Sequence, residues 1–167
     1  METKIPFYNL LNMFLIGLIF TGCCIVLFNN QIYTFIESDF FQTIKEINVG
    51  LETVITISFC AIIYEIGYVV NRIGSILEDI LKKSTKILPF DNDYKKFNEK
   101  KKEYPILNTL SREYALSRTS MTLFLLLTII SLFLQFLILA IIMCVLSLLF
   151  YHSMRKHAKK IVNLMNA

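Results

Sequence analysis

Charged residues fall along this chain in blocks, leaving three long stretches nearly free of them. From Phe7 to Phe28 there are 22 residues without a charge, and from Val49 to Val70 another 22 whose charged groups are Glu52 and Glu65. From Thr119 to Tyr151 runs a stretch of 33 uncharged residues in which Gln135 is the one strongly polar side chain. A helix rises about 1.5 Å per residue, so 22 residues cover the roughly 30 Å of hydrocarbon in a bilayer. The first two blocks each predict one spanning helix. The third would be about 50 Å long as a single helix, which a bilayer accommodates only with severe tilt or long overhangs. As two spans of about 16 residues it is a tight hairpin turning near Gln135, with no Gly or Pro at the turn. Length alone leaves both arrangements open.

The stretches between the blocks have helical periodicity of their own. Between Asn29 and Asn48 the apolar residues Ile32, Phe35, Ile36, Phe40, Ile44 and Ile47 recur at helical spacing, which predicts a short amphipathic helix at the membrane surface. Ser38 and Asp39 are suited to cap the helix that becomes the second span. After Arg72, Ile73, Ile76, Leu77, Ile80 and Leu81 form one stripe, with Glu78, Asp79, Lys82 and Lys83 elsewhere. The second span is therefore expected to leave the bilayer as a continuous amphipathic helix that Pro89 stops. Asp91-Asn92-Asp93 is turn chemistry, and Tyr94 to Tyr104 reads as a charged, solvated stretch. Pro105 breaks the chain again before Ile106 to Ser117, a helix leading back to the membrane.

Charge placement arbitrates the span count. More than half the chain is apolar (55%) and its net charge is only +4, but the positive charges are unevenly placed. The loop from Asn71 to Arg118 holds 11 Lys and Arg, the segment from Asn29 to Asn48 holds one, and the tail 152–167 holds four, Arg155, Lys156, Lys159 and Lys160, with no acid. Basic segments stay on the cytoplasmic side, so the large loop and the tail both belong there, and an even number of spans must separate them. The expected fold is an all-α integral membrane bundle of four spans, about 7–28, 49–70, 119–134 and 136–151, with three spans as the alternative. A cytoplasmic helical loop 71–118 and a basic cytoplasmic tail complete a single membrane domain.

Candidate chemistry centres on Glu65. An ionisable group in lipid costs on the order of 3 kcal/mol unless it faces protein or water, so a buried Glu65 meeting Arg118 or a tyrosine hydroxyl is expected. Glu65, Tyr68 and Arg72 stand at i, i+3 and i+7 on one helix face, with Asn71 beside them at the cytoplasmic edge. Across the loop, Arg112, Glu113, Tyr114 and Arg118 precede the third span. Such a set is helix glue that fixes bundle register, an ion path or conformational switch set by protonation of Glu65, or a lipid-facing acid that is simply neutral. Glu52 lies 13 residues before Glu65, nearly opposite it around the helix, so the two acids cannot line one path on one helix. Glu52 and Gln135 are candidates for a mouth or a lining.

Other chemistry is sparse. The four cysteines, Cys23, Cys24, Cys60 and Cys144, lie in apolar segments without metal-ligand spacing. Phe20-Thr21-Gly22-Cys23 approximates a lipoprotein signal end, although the apolar run continues past it. Gly17, Thr21 and Gly22 are small enough to admit a neighbouring helix. No GxSxG, HExxH or phosphate-binding glycine loop occurs, and the two histidines, His152 and His157, are spaced i, i+5 in the tail. Neither an enzyme nor a cofactor is expected, and the thin interleaving of Tyr94, Phe97 and Tyr104 with lysines argues against nucleic acid.

The run Gly67-Tyr-Val-Val-Asn-Arg-Ile-Gly-Ser75, Leu81-Lys-Lys83, Pro89-Phe90, Tyr94-Lys-Lys-Phe97, Arg112-Glu-Tyr114 and Arg118 before an apolar span resembles small multi-pass bacterial membrane proteins, some of which accompany phage-defence genes. The resemblance covers roughly Glu65 to Leu125. It implies that Glu65 to Ser75 and the Arg112 to Arg118 entry belong together, and it carries no activity. The expectation is a bacterial inner-membrane protein with both termini cytoplasmic. It would act as an interaction or sensing component through its cytoplasmic helices, in the bilayer as a homo-oligomer or with a cytoplasmic protein partner. An oligomeric channel or membrane-permeabilising effector, with Glu65 lining the path, is the alternative.

Overall fold

The computed structural model describes residues 7–38, 49–85 and 94–166. Among them all regular structure is helical: α1 (Phe7–Leu27), α2 (Asn29–Ile36), α3 (Val49–Thr85), α4 (Tyr94–Glu103), α5 (Ile106–Phe133) and α6 (Leu137–Asn166). Four of these, α1, α3, α5 and α6, are long and apolar enough to cross a membrane. Residues 39–48, Pro89 and the Asp91-Asn92-Asp93 turn lie outside the described residues. The chain divides into two compact units, Met1–Val69 and Val70–Ala167, with α3 contributing its first part to one and its second to the other.

In the first unit α1 meets α3 at two glycines. A methyl group on Gly17 would overlap the carbonyl oxygen of Ile63, and one on Gly67 would overlap that of Met13. With no Cβ on either side the two backbones touch, the close approach that small residues permit between apolar helices. Ile16 and Ile63 are buried beside the crossing. Gly22, by contrast, faces open space. Most of the remaining surface is apolar, Leu11, Leu15, Leu18, Val54 and Ile57 among it, as suits contact with acyl chains. Of the helix expected between Asn29 and Asn48, the described residues form α2, eight residues with none buried. Ser38 donates its hydroxyl to Phe35 O at its end, and Asp39 lies outside the described residues.

In the second unit the 33-residue uncharged run is two helices. α5 ends and α6 begins around Gln135, which takes a left-handed conformation (φ 63°). Phe136 N–H donates to Ser131 O at 2.9 Å and Gln135 N–H to Leu132 O at 3.0 Å, the paired bonds of a Schellman turn. The hairpin therefore needs no glycine; Gln135 holds the backbone shape that glycine adopts most easily, at a cost of about 1–2 kcal/mol. Along α5, Leu107, Leu110, Tyr114 and Met121 are buried, and along α6, Met154, Ala158, Ile161 and Met165. Their 3- and 4-residue spacing keeps one stripe of each helix against the other. The basic tail is thus the last turns of α6, with Arg155, Lys156, Lys159 and Lys160 on its exposed side.

Two expectations are corrected here. Tyr94 to Glu103, read above only as a charged, solvated stretch, is a helix, and Phe97 and Tyr104, two turns apart, pack on the α5–α6 core. Lys100 Nζ bonds Glu103 Oε2 at 3.0 Å, which holds that carboxyl below its usual range. The second correction concerns α3 beyond Arg72. The stripe is divided: Ile76 is 61% and Ile80 56% exposed, Ile73 and Leu77 are half-buried and Leu81 packs on the α5–α6 core, whereas Val70, Gly74 and Glu78 are fully buried. The helix turns toward α5 the face that carries its glycine.

Candidate functional site

Asn71, Gly74 and Glu78 stand at i, i+3 and i+7 on α3, and so on one face. Opposite them α5 presents Tyr114, Arg118 and Thr122, each one turn from the next. Gly74 permits the approach: a Cβ there would lie 2.9 Å from Thr122 Oγ1 and 3.6 Å from Arg118 Cγ. Arg118 Nη1 donates to Glu78 Oε2 at 2.7 Å, and its Nη2 donates to Asn71 Oδ1 at 2.9 Å. Lys82 Nζ, one turn along α3, approaches the other carboxylate oxygen of Glu78 at 2.6 Å. Thr119 Oγ1 is 2.9 Å from both Asn71 Oδ1 and Ala115 O, and its single proton serves one or the other. The Tyr114 hydroxyl faces Glu78 as well.

This cluster is charged and yet largely dry. The side chain of Glu78 is 8% exposed and that of Arg118 16%. Two cations converge on one carboxylate, so the local charge is positive and the acid is held ionised by its partners. Arg118 Nε is buried without an acceptor. Chemically the arrangement is a clamp: it fixes the rotation of α3 against α5 by polar contacts of defined geometry. It contains no nucleophile poised beside a base.

A second line of polar contacts joins α5 to α6. Glu113 Oε2 lies 3.2 Å from His157 Nδ1, Ser117 Oγ 3.1 Å from Ser153 Oγ, and Ser147 Oγ donates to Met121 O at 3.1 Å. Lys96 Nζ of α4 donates to Asn166 Oδ1 at 2.8 Å near the end of α6. Buried small residues, Ala140, Ser147 and Ala158, keep the two helices close enough for these contacts.

Of the residues singled out from sequence, Asn71 and Arg118 enter the clamp, and Glu113 enters the contact with His157. Glu65 is exposed, and Arg118 takes Glu78 as its acid. In the first unit Gly67 marks the side of α3 that packs on α1, and at about 100° per residue Glu65 points some 160° away from it. Tyr68 is half-buried, while Arg72 and Arg112 are exposed. Glu52 is exposed in the first turn of α3, beside a shallow depression shared with Thr53, Thr56 and Ile57. Gln135 is the exposed hairpin turn, set far along α5 and α6 from the clamp.

Sequence reasoning missed Glu78 as the acid, while Tyr114 stood among the residues named before the third span. The signal for Glu78 was present: Gly67, Gly74 and Glu78 share a face with Asn71, and an arginine at the edge of an apolar helix requires an acid. Among the described residues no three His, Cys, Asp or Glu side chains converge as a metal site would need. Comparison with protein-family models, curated proteins and solved structures finds no match to this chain.

Proposed function

We propose that the chain is a non-enzymatic multi-pass protein of the bacterial inner membrane, an interaction or sensing component that works through the helical extensions of its spans. The Lys and Arg distribution supports placing those extensions and both ends of the chain on the cytoplasmic side. The observation that carries the reading is the clamp. Glu78, Arg118 and Asn71 hold the extension of α3 on α5 by ionic and hydrogen bonds, where a purely structural junction would be made by apolar packing. A buried pair of this kind is poor stability glue, because desolvation offsets most of its attraction, but it defines one register sharply. A register set by few polar contacts is one that a partner's charged groups can reset.

The exposed position of Glu65 on α3 supports a second reading, an oligomeric channel or membrane-permeabilising effector in which Glu65 lines a path between subunits. Ion flux in liposomes separates the two. The interaction reading expects no conductance from the purified protein and no change on Glu65→Gln. Conductance whose size or pH dependence changes with Glu65→Gln would replace it with the channel. Cysteine labelling of the tail and of position 135 in intact cells tests the placement itself, with the tail expected to be protected from outside reagents.

A further inference from the structure

We propose that α3 is the seam of a parallel homo-oligomer, each copy meeting the same helix of its neighbours; the inference rests on the membrane placement given above. α3 is one helix of 37 residues. Ile55, Ile62, Val69 and Ile76 recur along it every seven residues, and so do Phe59, Ile66, Ile73 and Ile80. Interleaved, the two sets advance by alternate steps of four and three from position 55 to position 80 without one polar interruption. That is the 3.5-residue repeat that keeps a stripe facing a partner helix. Seven of the eight side chains are β-branched, stiff knobs of the kind that coiled-coil cores select.

Six of the eight are exposed in the single chain, Ile55 at 42%, Phe59 at 51%, Ile62 at 55%, Val69 at 53%, Ile76 at 61% and Ile80 at 56%, while Ile66 and Ile73 are half-buried. With roughly 200 Å² for a large apolar side chain, these six offer on the order of 600 Å² per copy, approaching the about 800 Å² per partner of a stable interface.

Lipid alone does not account for the pattern. Acyl chains accept any apolar surface and impose no heptad. They also end where the stripe does not: Ile76 and Ile80 lie about 6 and 12 Å past Arg72, in line with the rest and among charged neighbours. The flanking row, again seven apart, is Ser58, Glu65, Arg72 and Asp79. A monomer therefore leaves an exposed acid among acyl chains and exposed isoleucines among charges, on adjoining faces of one helix. A second copy covers the isoleucines and shields Glu65 at the seam's edge. Copies inserted the same way are related by an axis along the membrane normal, so their α3 helices run parallel and in register. Isoleucine at both seam positions favours three or four strands over two.

The test is cysteine crosslinking along α3 in the full chain, in membranes, with Cys23, Cys24, Cys60 and Cys144 replaced by serine. Single cysteines at 73 through 80 should form disulfide-linked dimers at 73, 76 and 80 and not at Ser75→Cys or Leu77→Cys. In detergent, the mass should be three or four times the 19.5 kDa chain and should fall to the monomer in Ile76→Glu/Ile80→Glu with helix content kept. Crosslinking without that periodicity, or a monomeric mass for the unaltered chain, overturns the proposal. Failure of the membrane placement is read separately, as release of the protein by an alkaline wash without detergent.

Discussion

Removing either end of the Glu78–Arg118 pair should destabilise the second unit, and by unequal amounts. Both side chains are mostly out of water, and breaking such a pair by deleting one partner leaves a buried charge, at about 3–5 kcal/mol. Arg118→Ala should fall at or below the lower end, because Lys82 stays 2.6 Å from the Glu78 carboxylate and still neutralises it. Glu78→Ala should reach the upper end: it leaves a guanidinium whose Nε already lacks an acceptor, held by Asn71 alone through Nη2. Replacing both with apolar residues of similar volume, Glu78→Leu with Arg118→Met, removes both desolvation penalties and should cost less than about 1 kcal/mol. With the single variants made as Glu78→Leu and Arg118→Met, the four proteins form a double-mutant cycle in which the two singles together should cost several kcal/mol more than the double. Loss of far-ultraviolet ellipticity during titration with a denaturing detergent measures all four proteins. Single substitutions that simply add in the double would show that the pair does not interact, and the clamp would have to be abandoned.

Other predictions concern the two turns of structure that glycine and glutamine make possible. Gly17→Ala and Gly67→Ala should each destabilise the first unit by about 1–3 kcal/mol through overpacking, whereas Gly22→Ala, facing open space, should not; the same detergent titration reads both. Gln135→Gly should stabilise by about 1 kcal/mol by relieving the left-handed strain, and Gln135→Val should destabilise, each seen as a shift in the unfolding midpoint. Phe97→Ala should free α4 from the α5–α6 core and speed proteolysis within Tyr94–Glu103 while leaving α5 and α6 protected.

Hydropathy made the helices legible, and charge asymmetry made the hairpin legible, because each is a property summed over many residues. The break at Gln135 could be placed although no turn residue marks it: 33 uncharged residues are too many for one crossing and both flanks are basic. α4 was hidden for the converse reason. Its ten residues have a single well-placed aromatic in Phe97, and the helix forms because that ring and Tyr104 find a core made by other elements.

The clamp shows where the reading of a single helix runs out. Hydropathy ranked Glu65 first because it sits amid apolar residues, and ranked Glu78 as one of several charges on a solvated extension. Burial is decided by which face a neighbour takes, and here the neighbours take the faces of Gly67 and Gly74, where backbones can approach without Cβ atoms between them. Glu78 is in phase with Gly74, one turn on; Glu65 is nearly opposite Gly67. The glycines decide which faces of α3 can be approached, and an acid that shares such a face, as Glu78 does, can then fix the rotation, so an acid's role follows from its angle to them. Six members of the Ile55 to Ile80 heptad stripe lie off those glycine faces and are exposed. Substituting Gly74 would in consequence disturb the clamp and the stripe together, whereas changing Ile76 or Ile80 should reach only the stripe. That asymmetry is a physical signature separating a helix oriented from within its own chain from one oriented by its partner.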